Sequence, residues 1–179
     1  MANIGSWFYS VWKSGWLVHS ARTTIGMAAS LATARLLNMP EAYWAPITTI
    51  IVMESTLGAA WAASKPRFIG TALGAVLAGL LGSYFKSGII MFSAAIFALG
   101  IICGILRFDK TAYRFAGITL TIVMLVPREV APWLIAVHRF VEVSLGIAVA
   151  LAITVLWPGH ELKITKNPTR SFSKPGGDS

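Results

Sequence analysis

Ile47-Thr-Thr-Ile-Ile-Val-Met53 returns 71 residues later as Ile118-Thr-Leu-Thr-Ile-Val-Met124, with five of seven positions unchanged. A second pair of stretches follows. Arg67-Phe-Ile-Gly-Thr-Ala-Leu-Gly74 keeps its Arg, Phe, Leu and second Gly in Arg139-Phe-Val-Glu-Val-Ser-Leu-Gly146, and Arg35 stands opposite Arg107 at nearly the same offset. Apolar helices resemble one another by composition, so each match alone is weak. Three matches in one order at one offset describe an internal repeat. Each copy holds three apolar stretches, and an odd number of crossings turns the second copy upside down relative to the first. Inverted repeats of this kind are a common transporter architecture, with sites near the midplane where interrupted helices of both halves meet. Duplication without a transport role is the alternative.

The rest of the chain sets that repeat in a membrane. Of 179 residues, 56% are hydrophobic and 12% are charged, where a soluble domain carries about 25% charged residues. The apolar stretches are Ser20 to Asn38, Tyr43 to Ala63, Phe68 to Phe85, Ser87 to Leu106, Tyr113 to Pro127 and Arg139 to Trp157. A spanning helix needs ~20 mainly apolar residues, so the fifth spans only if tilted. The expected fold is all-α and integral to the membrane: six transmembrane helices in two inverted three-helix repeats, about 18–86 and 87–159. Ahead of them, Ile4, Trp7, Phe8, Val11, Trp12 and Trp16 recur at helical spacing against Ser6, Ser10, Lys13 and Ser14. Residues 1–17 therefore read as an interfacial amphipathic helix, or as a helix folded back on the bundle. Residues 160–179 read as a polar cytoplasmic tail. No secretory leader is evident.

The net charge is +8, from 15 Lys and Arg against 7 Asp and Glu. The basic residues do not form a patch of the kind that binds nucleic acid. They stand singly between apolar runs, and most fall on one side if the N-terminus is inside, which puts both termini in the cytoplasm. No enzyme is expected. His19, His138 and His160 have no partners at metal-ligand spacing, no phosphate loop precedes a helix, and the lone Cys103 reads as a lipid-facing or packed thiol. Neither cofactor nor metal is implied.

Candidate path residues cluster on the second stretch of each repeat. Pro46 and its counterpart Gly117 sit near the start. Thr48, Thr49, Thr119 and Thr121 supply hydroxyls, and Trp44 and Phe115 supply aromatic surface. Freed backbone at membrane depth is tolerated when it is buried in protein or lines a wet cavity; the alternative is a proline kink with threonines bonded to their own helix. Arg22 and Arg35 share one stretch about 20 Å apart, so at least one guanidinium starts at or inside the edge of a ~30 Å hydrocarbon core. Arg67 and Arg139 begin the third and sixth stretches. The pairs Arg35 with Arg107 and Arg67 with Arg139 would make a positive path for an anion, or else snorkel to headgroups. Glu54 reads as the one acid deep in the second stretch, and Glu142 lies one turn into the sixth. Each is expected to pair with an arginine or, for Glu54, to carry a proton. Gly70, Gly74, Ala78 and Gly82 form a small-residue stripe that serves close helix packing.

Tyr43-Trp-Ala-Pro-Ile-Thr-Thr-Ile-Ile-Val52, Gly58, Arg67-Phe-Ile-Gly-Thr-Ala-Leu-Gly-Ala75 and the later Arg139-to-Ala150 run ending in Pro158 resemble the fusaric acid resistance-like family, which groups with aromatic acid exporters and aluminium-activated malate transporters. The likeness covers roughly residues 18 to 159. It implies a six-helix domain in the bacterial inner membrane that moves organic anions, aromatic or small carboxylates, outward, with Arg67 as the motif arginine and Arg139 as its second-half equivalent. It also implies a homodimer among membrane lipids. Many members append a large cytoplasmic domain or a second membrane copy, whereas about twenty residues follow the sixth stretch here, which puts regulation through such a domain in doubt. The rival expectation is a non-transporting membrane subunit that assembles with other export components.

Overall fold

The computed structural model describes residues 15–85, 88–126 and 130–157. The expected surface helix before Trp16 and the tail after Trp157 lie outside the described residues. Within them the chain is helical: α1 Trp16–Leu36, α2 Trp44–Val52, α3 Leu57–Tyr84, α4 Ile89–Ile105, α5 Lys110–Leu125 and α6 Pro132–Leu156. Two of these, α3 and α6, are long and apolar enough to cross a membrane.

Two expectations about the elements are corrected. The second stretch, read as one helix over 43–63, breaks in the middle. Helix α2 has nine residues, about 13 Å at 1.5 Å per residue, and stops at Met53, whose ψ of 112° is extended. Thr56 then caps a new helix, its side-chain oxygen accepting from the Ala59 amide at 3.2 Å. A threonine at this position satisfies one of the amides left open at a helix start. The residues assigned to the end of the second stretch thus begin α3, which runs straight through Lys65, Pro66 and Arg67. Likewise α6 starts at Pro132, the favoured residue for a first helical turn, rather than at Arg139. Arg67 and Arg139 therefore lie about 15 Å and 10 Å along their helices, not at the ends. Pro46 sits in the first turn of α2, where no intrahelical amide bond is lost, and so causes no kink.

The two halves are built alike. Helices α1 and α4 end in left-handed residues, Asn38 (φ 51°) and Arg107 (φ 53°). The next amides reach back five residues, Met39 to the Ala34 carbonyl and Phe108 to the Cys103 carbonyl, each at 3.0 Å. This is a Schellman end. It aligns Arg107 with Asn38 rather than with Arg35. Each short second helix packs on the long third helix of the other half, α2 on α6 and α5 on α3, while α3 and α6 pack on each other. The α3–α6 contacts pair Gly82 with Pro132, Gly79 with Ala136 and Phe68 with Phe140, an antiparallel order.

Close approach at the half–half contacts rests on glycine. A Cβ on Gly146 of α6 would collide with the Ala45 carbonyl oxygen and lie 2.6 Å from Thr48 Cβ of α2; one on Gly74 of α3 would collide with the Ala116 carbonyl oxygen of α5. Ala45 and Ala116 hold corresponding places in the two repeats. The core lies in two clusters. One joins Ala75 and Ala78 to Leu99, Cys103, Leu120, Val123 and Ile135. The other joins Val52 and Met53 to Val143, Ile147 and Ala150. Cys103 is thus packed. Large apolar side chains such as Ile89, Ile90, Phe97 and Val76 face outward.

Candidate functional site

The interface between the halves brings together two buried arginines and two glutamates. Helix α3 carries Arg67 inward, 6% exposed, and α6 carries Arg139, 2% exposed. Each guanidinium lies over an aromatic ring of the other half: Arg139 Cζ is 3.5 Å from the centroid of Trp44 and Arg67 Cζ is 4.7 Å from that of Phe115. Trp44 and Phe115 correspond in the repeat, as do the two arginines. A cation over a ring face is held by the ring quadrupole, and more strongly where water is excluded.

Beyond the rings the two arginines differ. Arg67 donates to Thr48 Oγ1 from Nη2 at 2.9 Å and from Nε at 3.3 Å. Arg139 is paired with carboxylates, its Nη1 lying 3.7 Å from Glu41 Oε2 and 3.8 Å from Glu142 Oε2. The carboxylates are linked in turn. The Glu41 amide donates to Glu142 Oε1 at 3.1 Å, and Trp44 Nε1 donates to Glu41 Oε2 at 3.0 Å. Glu142 is fully buried, while the Glu41 side chain is 12% exposed. Two buried cations and two carboxylates thus stand around the N-terminal half of α2. Glycine and alanine hold the places in the other half that Glu142 and Glu41 hold here: Gly70 lies 72 residues before Glu142, and Ala112 lies 71 after Glu41.

The other expected residues divide. Thr49 Oγ1 lies 3.0 Å from the Ala45 carbonyl and 3.1 Å from that of Gly146, so its hydroxyl bridges α2 to α6. Thr119 and Thr121 donate to carbonyls of their own helix, Phe115 and Gly117. Gly117 is half-buried, and a Cβ built on it would come within 3.8 Å of Ile96. Arg35 and Arg107 are exposed at the ends of their helices, away from the interface cluster. Glu54 is not inside a helix: it lies in the break after α2 and is exposed. Its carbonyl accepts from Arg22 Nη2 at 3.2 Å. Arg22, 1% exposed, is the buried guanidinium of the first stretch.

Glu41 was beyond reach of sequence reasoning, since its partner Glu142 lies 101 positions further along the chain. Among the described residues no group of His, Cys, Asp or Glu could hold a metal ion. A groove of about 660 Å³ runs along the outer side of α3 and α6, lined by Ala72, Gly79, Leu80, Trp133 and Phe140 among others. It is apolar, and neither interface arginine lines it.

Comparison with known proteins places the chain among membrane proteins of one family. The chain is 28% identical over 156 residues to the inner membrane protein YeeA of Escherichia coli K12, an alignment covering 79% of this chain and 41% of the relative. It is 36% identical over 66 residues to the uncharacterized transporter YdhK of the same strain, covering 37% of this chain and 10% of the relative. To YdhK of Salmonella typhimurium it is 28% identical over 150 residues, 79% of this chain and 22% of the relative. The chain thus spans between a tenth and two fifths of the length of these relatives. No solved structure matches it. Residues 25–153, which contain all six helices in whole or part, match the fusaric acid resistance protein-like family, and the chain belongs to that family.

Proposed function

We propose that this domain is a membrane transport unit that moves an organic anion, an aromatic or small carboxylate, out across the bacterial inner membrane, through the contact between two three-helix halves threaded in opposite senses. The observation that carries this reading is the pair of buried arginines at corresponding positions, each lying on an aromatic ring from the opposite half. A guanidinium offers a planar fork that matches a carboxylate, and the ring beside it offers a face to an aromatic substrate. Ionisable side chains at membrane depth mark pathways and sites, because they are costly to hold there without a role.

Several facts support the inverted arrangement. The long helices pass each other antiparallel, the packing pattern is unchanged when the halves are exchanged, and the repeated unit has an odd number of helices. The broken second stretch fits transporter sites built from interrupted helices. Location in the inner membrane is supported by the relative named for it, transport by the relatives named uncharacterized transporter, and cytoplasmic termini by the distribution of Lys and Arg.

The test is uptake of labelled benzoate by liposomes containing the purified chain, with empty liposomes subtracted. Flux that falls at least tenfold in Arg67→Ala supports the proposal. Absence of flux from the folded wild type, together with stable co-purification of a second membrane protein, would favour the non-transporting subunit instead.

A further inference from the structure

The internal repeat makes one half of the molecule a template for the other. At the second-half arginine the chain supplies its own anions. Arg139 Nη1 lies 3.7 Å from Glu41 Oε2 and 3.8 Å from Glu142 Oε2, with the guanidinium over Trp44. These three charged residues have further partners in the fold, so this half-site is filled. At the first-half arginine the frame is the same, Arg67 over Phe115, and the acids are missing from it. Ala112 stands in the place of Glu41, and Gly70 in the place of Glu142. The correspondence holds in space as well as in sequence. The Glu142 side chain meets the Glu41 backbone at its amide, and Gly70 meets the Ala112 backbone at its carbonyl. Among the described residues no carboxylate stands within ion-pair distance of Arg67. We propose that the two half-sites have different roles: the chain's own carboxylates close the one at Arg139, and a single substrate carboxylate binds at Arg67, supplying the acid that Ala112 and Gly70 leave out. This deepens the transport reading above and rests on it.

The donors at Arg67 fit this role. A guanidinium carries five N–H donors in a fixed fork. The neutral Thr48 hydroxyl takes bonds from Nε and Nη2, which leaves Nη1 for an anion. A buried cation is costly to hold without an opposite charge beside it, and a carboxylate brings both that charge and the stronger, charge-assisted bond. At Arg139 an incoming anion would have to displace carboxylates attached to the same chain. A tethered ligand acts at an effective concentration in the millimolar range, so a dilute free carboxylate loses that competition. In this structure the contact of α3 with α5 is closed beside Arg67, where a Cβ on Gly70 would collide with the Ala112 carbonyl oxygen. Entry of the anion therefore requires α5 to draw back from α3 at that point.

The experiment is calorimetric titration of benzoate, ionised at neutral pH, into the purified wild type, Arg67→Ala and two variants at position 112. Residues 112 and 115 lie three apart on α5 and share a helix face, so an acid at 112 stands beside the ring that carries Arg67. The wild type should bind one benzoate per chain, and Arg67→Ala should weaken binding at least tenfold. Ala112→Glu installs a tethered carboxylate like that of Glu41. It should bind benzoate at least tenfold more weakly than Ala112→Gln, which has the same size and no charge. Its unfolding midpoint should also lie above that of Ala112→Gln, because its acid finds Arg67, a gain that a merely damaged fold would not give. Two benzoates per wild-type chain overturn the division of roles and leave the anion site standing. So does one benzoate still bound by Arg67→Ala with wild-type affinity, or equal binding by folded Ala112→Glu and Ala112→Gln. If neither position-112 variant folds, the wild-type stoichiometry and Arg67→Ala decide. No binding by the folded wild type removes the anion site and the division together.

Discussion

At the residue scale, the two motif arginines are equivalent in sequence and unequal in surroundings. Removing Arg139 takes a cation away from two carboxylates, one of them fully buried. Breaking a buried ion pair from one side costs about 3–5 kcal/mol. Removing Arg67 leaves a threonine hydroxyl that has lost a donor, at about 1–3 kcal/mol. Arg139→Ala is therefore expected to lower the unfolding midpoint in detergent well below that of Arg67→Ala, and equal losses would contradict the ion-pair geometry. This difference makes Arg67 the cleaner probe of function. Two glycines give a second contrast. Gly146→Ala drives a methyl into the Ala45 carbonyl oxygen and Thr48, and forcing volume into a packed contact costs about 1–3 kcal/mol. Gly58→Ala, in the first turn of α3 with nothing within 4 Å, should be neutral or stabilising by up to about 1 kcal/mol. Thermal unfolding of the two variants side by side checks the pair.

At the element scale, the break after α2 positions the candidate site, because a nine-residue helix ends there and a helix of 28 begins four residues on. Its restart depends on Thr56, so Thr56→Ala should cost about 1 kcal/mol and Thr56→Ser much less, read as the shift in a denaturation curve. The sequence carried part of this and hid part. The correspondence of Arg67 with Arg139 and of Trp44 with Phe115 was legible, because repeated residues keep their offset whatever the helix boundaries are. The break was not. Glu54, Ser55 and Thr56 sit between apolar neighbours on both sides, and a hydropathy reading runs across them. Leaving a gap between Ala63 and Phe68 had a physical cause too. Lys65-Pro66-Arg67 looks like a connection, yet the helix carries the proline inside. The Glu41–Glu142 contact had no local signal at all, since only tertiary packing brings a turn residue beside the middle of α6.

At the scale of the whole molecule, the halves exchange partners instead of folding apart. A short helix of one half lies along the long helix of the other, on both sides of an antiparallel α3–α6 contact. Neither half keeps its arginine–aromatic contact without the other, since each arginine sits on the ring of the opposite half. That interlock can be tested directly by a covalent bond between the halves. A Cβ built on Gly79 lies 3.4 Å from the Ala136 Cβ, close to the ~3.5–4.5 Å span of a disulfide. In a Cys103→Ser background, which removes the one native thiol, Gly79→Cys with Ala136→Cys should oxidise to an intramolecular bridge. Proteolytic cleavage between α3 and α4 would then leave the two halves joined until a reductant is added. The control pair Val76→Cys with Ile101→Cys uses two exposed positions on helices that meet only lightly and should stay reduced. Bridging by the control pair and not by the first would mean that α3 and α6 do not meet in this register, and the shared arginine–aromatic interface would go with them.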